Sequence, residues 1–211
     1  EKAARIAFAY VTPSHQYPLG GVLPVQRRQA LISFAQKFGC RIVEDDYDSE
    51  FRYEGAPLSS LYELARKTVV YLGSFSKILA PAMRLGFAIV PETLQEPWRR
   101  EKLYTDVHTD ALSQHALAAF ISGGGLERHI WKMRKLYQRK RARLLQSLAR
   151  HFGDRFELRG QAAGLHLVAA FPGVVFTKEL LARLHQRGVS VVPVEAYSLC
   201  RDGAHGHELI L

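Results

Sequence analysis

The chain has 211 residues, 47% hydrophobic and 23% charged, enough apolar material for one large core or two smaller ones, which excludes disorder as its main state. Its formal charge of +9 is compatible with a nucleic-acid partner, but net charge governs non-specific attraction rather than chemistry. Two cysteines, Cys40 and Cys200, stand far apart without CxxC or His-rich spacing, so neither a zinc site nor a disulfide framework is indicated and a reducing, cytoplasmic setting is expected.

No apolar run reaches the roughly eighteen residues of a membrane span, and no signal-peptide pattern opens the chain, so no membrane partner is expected. The opening "EKAARIAFAY" enters a buried-strand pattern almost at once, and the closing "HELIL" stops inside another. A piece of a longer protein is expected.

The strand-like "IAFAYV" is followed by the turn-rich "TPSHQYPLGG". A helix comes next: Pro24 suits its first turn, Val25, Leu31, Ile32, Ala35 and Phe38 form a stripe at helical spacing, and Gly39 stands where a C-terminal cap belongs. "RIVEDDYDSEF" starts as an apolar strand and turns acidic, "TVVYLGS" is a β-branched strand, and "RLGFAIV" is another. Strands alternating with helices predict an α/β fold with a mainly parallel sheet covered on both faces.

From Leu126 the pattern changes. Ile130, Met133, Tyr137, Leu144, Leu145 and Leu148 mark one face of a long amphipathic helix whose other faces are basic. Those charges could meet DNA phosphates, but they surround the helix without any base-reading pattern, so a solvated face is the expectation. A turn and strand, "LRGQAAGLHLVAAF", the helical "TKELLARLHQRG" and the strand "VSVVPV" complete a smaller α+β unit. The expected division is a partial large domain over residues 1–125 and a small C-terminal domain over 126–211.

Chemistry centres on "YLGSFSKILAPAMRLGF", where Lys77 sits in an apolar strand-to-helix turn and Arg84 follows seven positions later. A lysine so placed is expected to be partly buried and functional, because an unpaired buried ammonium is costly. A phosphate-binding P-loop fails here: Ser76 stands where the second glycine should precede the lysine, and Ile78 where Ser or Thr should follow. A serine-lysine hydrolase would match S-x-x-K, but Pro81 lies within the next turn and neither S-D-N nor K-T-G occurs.

The third reading is a Schiff-base lysine for pyridoxal 5'-phosphate. "SFSK" followed by "MRLGF" resembles the lysine turn of fold type I pyridoxal-phosphate enzymes, the aspartate-aminotransferase superfamily. Such a cofactor needs an amine of lowered pKa, hydroxyl and guanidinium donors for its phosphate, and a carboxylate that keeps its ring nitrogen protonated. Ser74, Ser76 and Arg84 would serve the phosphate. By resemblance Asp45 is the partner of the ring nitrogen and Tyr47 of the phenolic oxygen, leaving Asp46 and Asp48 as turn or surface residues.

Taken with "VTPSHQYPLGGVLPVQRRQALISFA", "VEDDYDSEFRY" and "LERHIWKMRKLYQRKR", the lysine turn resembles the aminotransferase-like domain of the MocR/PdxR group within the GntR superfamily of bacterial transcription regulators. That resemblance implies a cofactor held as an aldimine on Lys77, a small amine or the cofactor itself as effector, a homodimer, and DNA contacts through an N-terminal winged helix outside this chain. A class I/II aminotransferase is the alternative it leaves open. Two departures bear on turnover: Tyr17 stands where aminotransferases usually have the asparagine of N-P-T-G, and Ile210 where many have an arginine for the substrate carboxylate. His15 and Gln16 lie in the loop facing the expected site, as ordinary hydrogen-bonding residues. His205 and His207, spaced H-x-H without a third ligand, do not indicate a metal.

Overall fold

The computed structural model describes residues 6–56, 58–200 and 202–211. Strands β1 (Phe8–Val11), β2 (Arg41–Asp46), β3 (Val69–Ser74) and β4 (Gly86–Ile89) lie side by side in that order as one sheet. The first two pairings are parallel and the third is antiparallel. β4 reverses because only the one-turn helix α3 (Phe75–Ile78), third in chain order, and a 3-10 turn (Pro81–Met83) link it to β3, too little chain for a crossover.

Helix α1 (Val25–Phe38) runs between β1 and β2 and ends on Gly39 in the left-handed conformation, at φ 64°. Its Ile32 and Ala35 pack with Cys40, Ile42, Leu61 and Val69 into the core of this sheet. Leu61 opens the one-turn helix α2 (Leu61–Leu64), capped by Ser60, whose hydroxyl accepts from the Glu63 N–H. The apolar stripe expected on α1 is narrower than its spacing suggested. Val25 and Phe38 are exposed, and Arg28, one turn before Ile32, is buried in their stead.

Arg28 is accommodated because every arm of its guanidinium finds a carbonyl. Nε donates to Leu23 O, Nη1 to Ser59 O and Nη2 to Pro13 O, at 2.9, 3.0 and 2.8 Å. The equally buried Glu44 lies 3.8 Å away and accepts from the N–H groups of Leu61 and Tyr62. Burial alone pushes the Arg28 guanidinium down and the Glu44 carboxyl up, and each other's charge opposes both shifts. This pair ties the loop over residues 13–24 to β2 and α2.

The expected cover on both faces of the sheet is not met. Strand periodicity sends Phe8 and Tyr10 of β1 away from the core, and they are exposed together with Phe87 and Ile89 of β4. Two helices that the sequence reading left unassigned follow β4: α4 (Glu92–Asp106) and α5 (Ala111–Ser122), the latter capped by Asp110 accepting from the Ser113 N–H at 2.8 Å.

Helix α6 (Gly125–Phe152) leads to a second sheet, antiparallel throughout, in the order β5 (Glu157–Arg159), β6 (Val168–Ala170), β8 (Glu208–Ile210), β7 (Val192–Pro193). Helix α7 (Lys178–Gln186) lies between β6 and β7 in sequence. The predicted stripe of α6 is real and does two jobs. Leu148 and Leu144 join Ala169, Phe171 and Leu209 in the core of the second sheet, while Tyr137 packs edge-on against Phe51 at 5.2 Å between ring centroids. Beside Tyr137, Arg134 donates to Glu50 O at 2.8 Å and Arg141 pairs with Glu54, so part of the basic character serves internal contacts. No helix among the described residues is long and apolar enough to cross a membrane.

Candidate functional site

The parallel register of β2 and β3 sets Asp45 opposite Leu72 and Asp46 opposite Gly73, so the carboxyl ends of both strands open on the same side. There lies a cavity of about 1200 Å³. Lys77, Asp45 and Tyr47 all line it, so the structure brings together the amine, the acid and the phenol singled out in the sequence.

Lys77 differs from expectation in one respect: it is exposed rather than partly buried. Helix α3 is a single turn, and its geometry turns Ile78 inward instead, leaving that residue 6% exposed. Ser74 caps α3 by accepting from the Ser76 N–H at 3.2 Å. Ser74 and Ser76 thus share the lysine's turn without lining the cavity, and Arg84 is exposed at the end of the 3-10 turn with a left-handed φ of 52°. The expected phosphate donors are therefore adjacent in the chain but not gathered on the cavity wall.

Asp45 has a partner that the sequence reading missed. The Tyr10 hydroxyl donates to Asp45 Oδ2, and partial burial, with the carboxylate beside it, pushes the Tyr10 phenol up to about 12. Tyr10 therefore keeps its proton. Its signal was the alternation of "IAFAYV", which sends positions 8 and 10 to the face opposite the core. Tyr47 donates to the His15 carbonyl at 2.8 Å, and its phenol is raised well above the ordinary range, chiefly by burial and then by Asp48.

Asp48 is not a surface residue. It is 1% exposed, its Oδ2 lies 3.0 Å from His15 Nδ1 and accepts from the Leu165 N–H at 3.2 Å, which is how a carboxylate is tolerated there. Asp46 is half-buried and accepts from Tyr71 at 2.7 Å and from Ser49 at 2.8 Å. His15 is a hydrogen-bonding residue, as read, but buried, and its ring lies 4.2 Å from that of His166, tilted by 42°. His166 Nε2 lies 3.1 Å from the Pro18 carbonyl, which can only accept, so that nitrogen carries the proton. Burial first and His15 second depress the His166 imidazole to about 4. His15, Asp48 and His166 offer ligand atoms within 4.8 Å of one another, close enough to hold a metal ion; the 3.0 Å contact clamps the loop to β2, while His15 Nε2 and Asp48 Oδ1 are buried without a hydrogen-bond partner among the described residues. His205 and His207 both face Glu208: His205 Nδ1 lies 2.8 Å from Oε2 and His207 Nε2 3.8 Å from Oε1.

A comparison with family models matches residues 7–204 to aminotransferase class I and II. The chain belongs to the class I and II aminotransferase family. Among curated relatives of this aminotransferase domain, the HTH-type transcriptional regulator YhdI of Bacillus subtilis is 41% identical over 88% of the chain and 40% of its own length. The probable rhizopine catabolism regulatory protein MocR of Rhizobium meliloti is 35% identical over 88% of the chain and 38% of its own length. The chain thus spans about 40% of these relatives. Among solved structures, Pyrococcus horikoshii kynurenine aminotransferase superposes with a TM-score of 0.86 at 31% identity, over 97% of the chain and 50% of that protein. The fold type I assignment and the MocR/PdxR resemblance both stand.

Pyridoxal 5'-phosphate is the cofactor that membership of the aminotransferase family implies, and the donor set in the cavity fits it. Lys77 offers an amine to an aldehyde, Tyr47 a phenol, and Asp45 a carboxylate whose Oδ1 has no partner among the described residues. The two departures have structural correlates. Tyr17 lines the cavity and donates to the Tyr197 hydroxyl at 2.6 Å, with its phenol pushed up to about 12 by burial and by Tyr197. Ile210, paired with Val168 and Val192 inside the second sheet, is not among the lining residues.

Proposed function

We propose that this aminotransferase-like domain is the effector-sensing part of a DNA-binding transcriptional regulator of the MocR/PdxR kind. The observation that carries the reading is the meeting of Lys77, Asp45 and Tyr47 on one cavity, in a chain whose relatives at 41% and 35% identity bear regulators' names. Pyridoxal phosphate, when bound, supplies an aldehyde that condenses with amines and a pyridinium that withdraws electrons. Lys77 Nζ would hold the aldehyde carbon. Asp45 Oδ1 would hold the proton of the ring nitrogen, while Tyr10 orients the carboxylate through Oδ2. Tyr47 would face the phenolic oxygen; Ser74 and Ser76 on the lysine's turn and Arg84 at the end of the 3-10 turn are the donors this reading assigns to the phosphate, and none of them lines the cavity as it stands. Loop 13–24, clamped by Arg28 and by the His15–Asp48 pair, forms one wall of the cavity.

In this reading a small amine or the cofactor acts as effector, and occupancy regulates only by favouring one of two conformations of a homodimer whose DNA contacts lie in a winged helix outside this chain. The second reading is amino-group transfer, favoured by the 0.86 TM-score to an aminotransferase at 31% identity. The full-length protein separates them. A visible cofactor band that Lys77→Ala abolishes, with operator binding that changes when amine is added, is the expected result. Steady conversion of an amino acid and a keto acid, without any change in DNA binding, would overturn the regulatory reading in favour of the enzyme.

A further inference from the structure

Three residues outside the cofactor's donor set meet beside the cavity: His15 of loop 13–24, Asp48 just past β2 and His166 just before β6. Each offers one ligand atom, and the three atoms lie within 4.8 Å of one another. His15 and Asp48 are each 1% exposed, and His166 is half-buried. Asp48 and His166 also line the cavity. With 33 positions between His15 and Asp48, the cluster has no local ligand spacing by which the sequence could show it.

The surrounding hydrogen bonds leave this cluster short of a positive partner. Asp48 Oδ2 meets His15 Nδ1 at 3.0 Å and accepts from the Leu165 N–H at 3.2 Å, but Oδ1 is buried with no hydrogen-bond partner among the described residues. His15 Nε2 is buried and unpartnered in the same sense. Buried polar atoms are otherwise nearly always paired. His166 Nε2 donates its proton to the Pro18 carbonyl at 3.1 Å, so Nδ1 carries a lone pair. An imidazole whose other N–H is tied to a backbone carbonyl is oriented as metal-bound histidines are. Gly164 makes the approach possible, since a Cβ there would lie 1.8 Å from His15 Nδ1 and 2.6 Å from Asp48 Oδ2.

We propose that His15, Asp48 and His166 form a site for a divalent transition-metal ion of the zinc class. Two imidazole nitrogens and one carboxylate suit such an ion, whereas magnesium and calcium take oxygen ligands. The 3.0 Å between His15 Nδ1 and Asp48 Oδ2 is close to the roughly 3.3 Å between two ligands of a tetrahedral zinc with bonds of about 2.0 Å. The ion takes the place of the proton between them, and Nε2 of His15, free of any partner, receives that proton. A fourth position is left for water on the cavity side, where Asp48 and His166 line the wall. Because the ligands come from the loop, the end of β2 and the turn before β6, the ion ties the second sheet to the first. The proposal does not depend on the cofactor reading.

The test uses the full-length protein freed of metal by a chelator, with and without pyridoxal phosphate, and titrated with Zn2+ by calorimetry and with Co2+ by absorption. One ion per chain is expected, with visible Co2+ bands at wavelengths beyond those of the cofactor. Zinc is expected to raise the urea midpoint, because it binds the folded state, and Mg2+ at the same concentration is not. Asp48→Asn keeps an acceptor for His15 and Leu165, and His166→Gln keeps an N–H for Pro18. Each is expected to weaken zinc binding by at least about a hundredfold, beyond the roughly 10–100-fold that losing a group behind a ligand costs. His166→Gln, at a half-buried position, decides the matter even where Asp48→Asn fails to fold. The control His205→Gln/His207→Gln, at the other histidine pair, should leave zinc affinity within about twofold. Absence of Co2+ bands and of zinc-dependent stabilisation in the wild type overturns the inference. So does binding that survives His166→Gln, binding that the control abolishes, or binding that requires pyridoxal phosphate, which would assign the ion to the cofactor.

Discussion

Gly20 and Gly160 meet backbone to backbone: a Cβ built on either would lie 2.6 Å from the Cα of the other, and both have positive φ, 75° and 73°. The cavity loop and the entrance to the second sheet touch at this point. Gly160→Ala is expected to destabilise the protein by more than the left-handed backbone alone requires, about 1–2 kcal/mol, because the loop must also move. Gly188→Ala isolates the backbone cost, since Gly188 has a φ of 79° and nothing within 4 Å of its Cβ position. Denaturant midpoints for the two variants, read beside cofactor affinity, check this: only Gly160→Ala should weaken cofactor binding.

The Arg28–Glu44 pair makes a sharper prediction about stability. Arg28→Met leaves Glu44 buried and uncompensated and frees the carbonyls of Pro13, Leu23 and Ser59, so a loss of about 3–5 kcal/mol is expected. Adding Glu44→Gln removes the stranded charge and should recover part of that loss. A double-mutant cycle in urea reads the coupling directly. If the two losses simply add, the pair is not coupled as its geometry requires.

What the sequence made legible was mostly local. The cap at Gly39, the amphipathic stripe of α6 and the four blocks around Lys77 are short-range patterns, and each corresponds to an element or to the cavity in the structure. The clamp behind the cavity was not legible, because its partners are 33 positions apart for His15 and Asp48 and 117 for Asp48 and Leu165. Asp48 looked like a turn residue because composition reports polarity and not burial. Arg28 did carry a signal, since it falls on the face of Ile32 and Ala35, but helical spacing counts an arginine as polar whatever the fold places around it. β4 read correctly as a strand and the sheet is mainly parallel as expected, but the reversed direction of β4 was not legible, because direction depends on the length of the connection rather than on the strand's own residues.

His166 gives a pH dependence with a definite sign. Its imidazole ordinarily titrates near 6.5 and is held at about 4 in the fold, so the unfolded chain binds more protons between those values. Its contribution to stability is complete above the higher value and is lost as pH falls from about 6.5 to about 4. Acidification of the wild type should therefore lower its melting temperature across that window, and His166→Gln, which keeps an N–H for Pro18, should flatten that part of the curve. An unchanged slope in the variant would mean that the acid sensitivity belongs to other groups.

Tyr10 and Asp45 supply the last prediction, which separates charge from orientation at the cofactor's ring nitrogen. Asp45→Asn removes the charge and leaves a group that Tyr10 can still meet, whereas Tyr10→Phe keeps the charge and frees Oδ2 to rotate. If Asp45 holds the ring proton, the asparagine variant should lose the pyridinium form at neutral pH, visible as an altered absorption spectrum of bound cofactor with its titration moved to lower pH. Tyr10→Phe should leave the spectrum in place and weaken cofactor binding about tenfold, at the lower end of the roughly 1.5–3 kcal/mol typical of a hydrogen bond to a charged group, because Tyr10 is more than half exposed. Two spectral titrations and two affinities decide the matter. Equal effects of both variants on the spectrum would show that Tyr10 acts on the proton and not on the placement of the carboxylate, reversing the roles assigned to the two side chains.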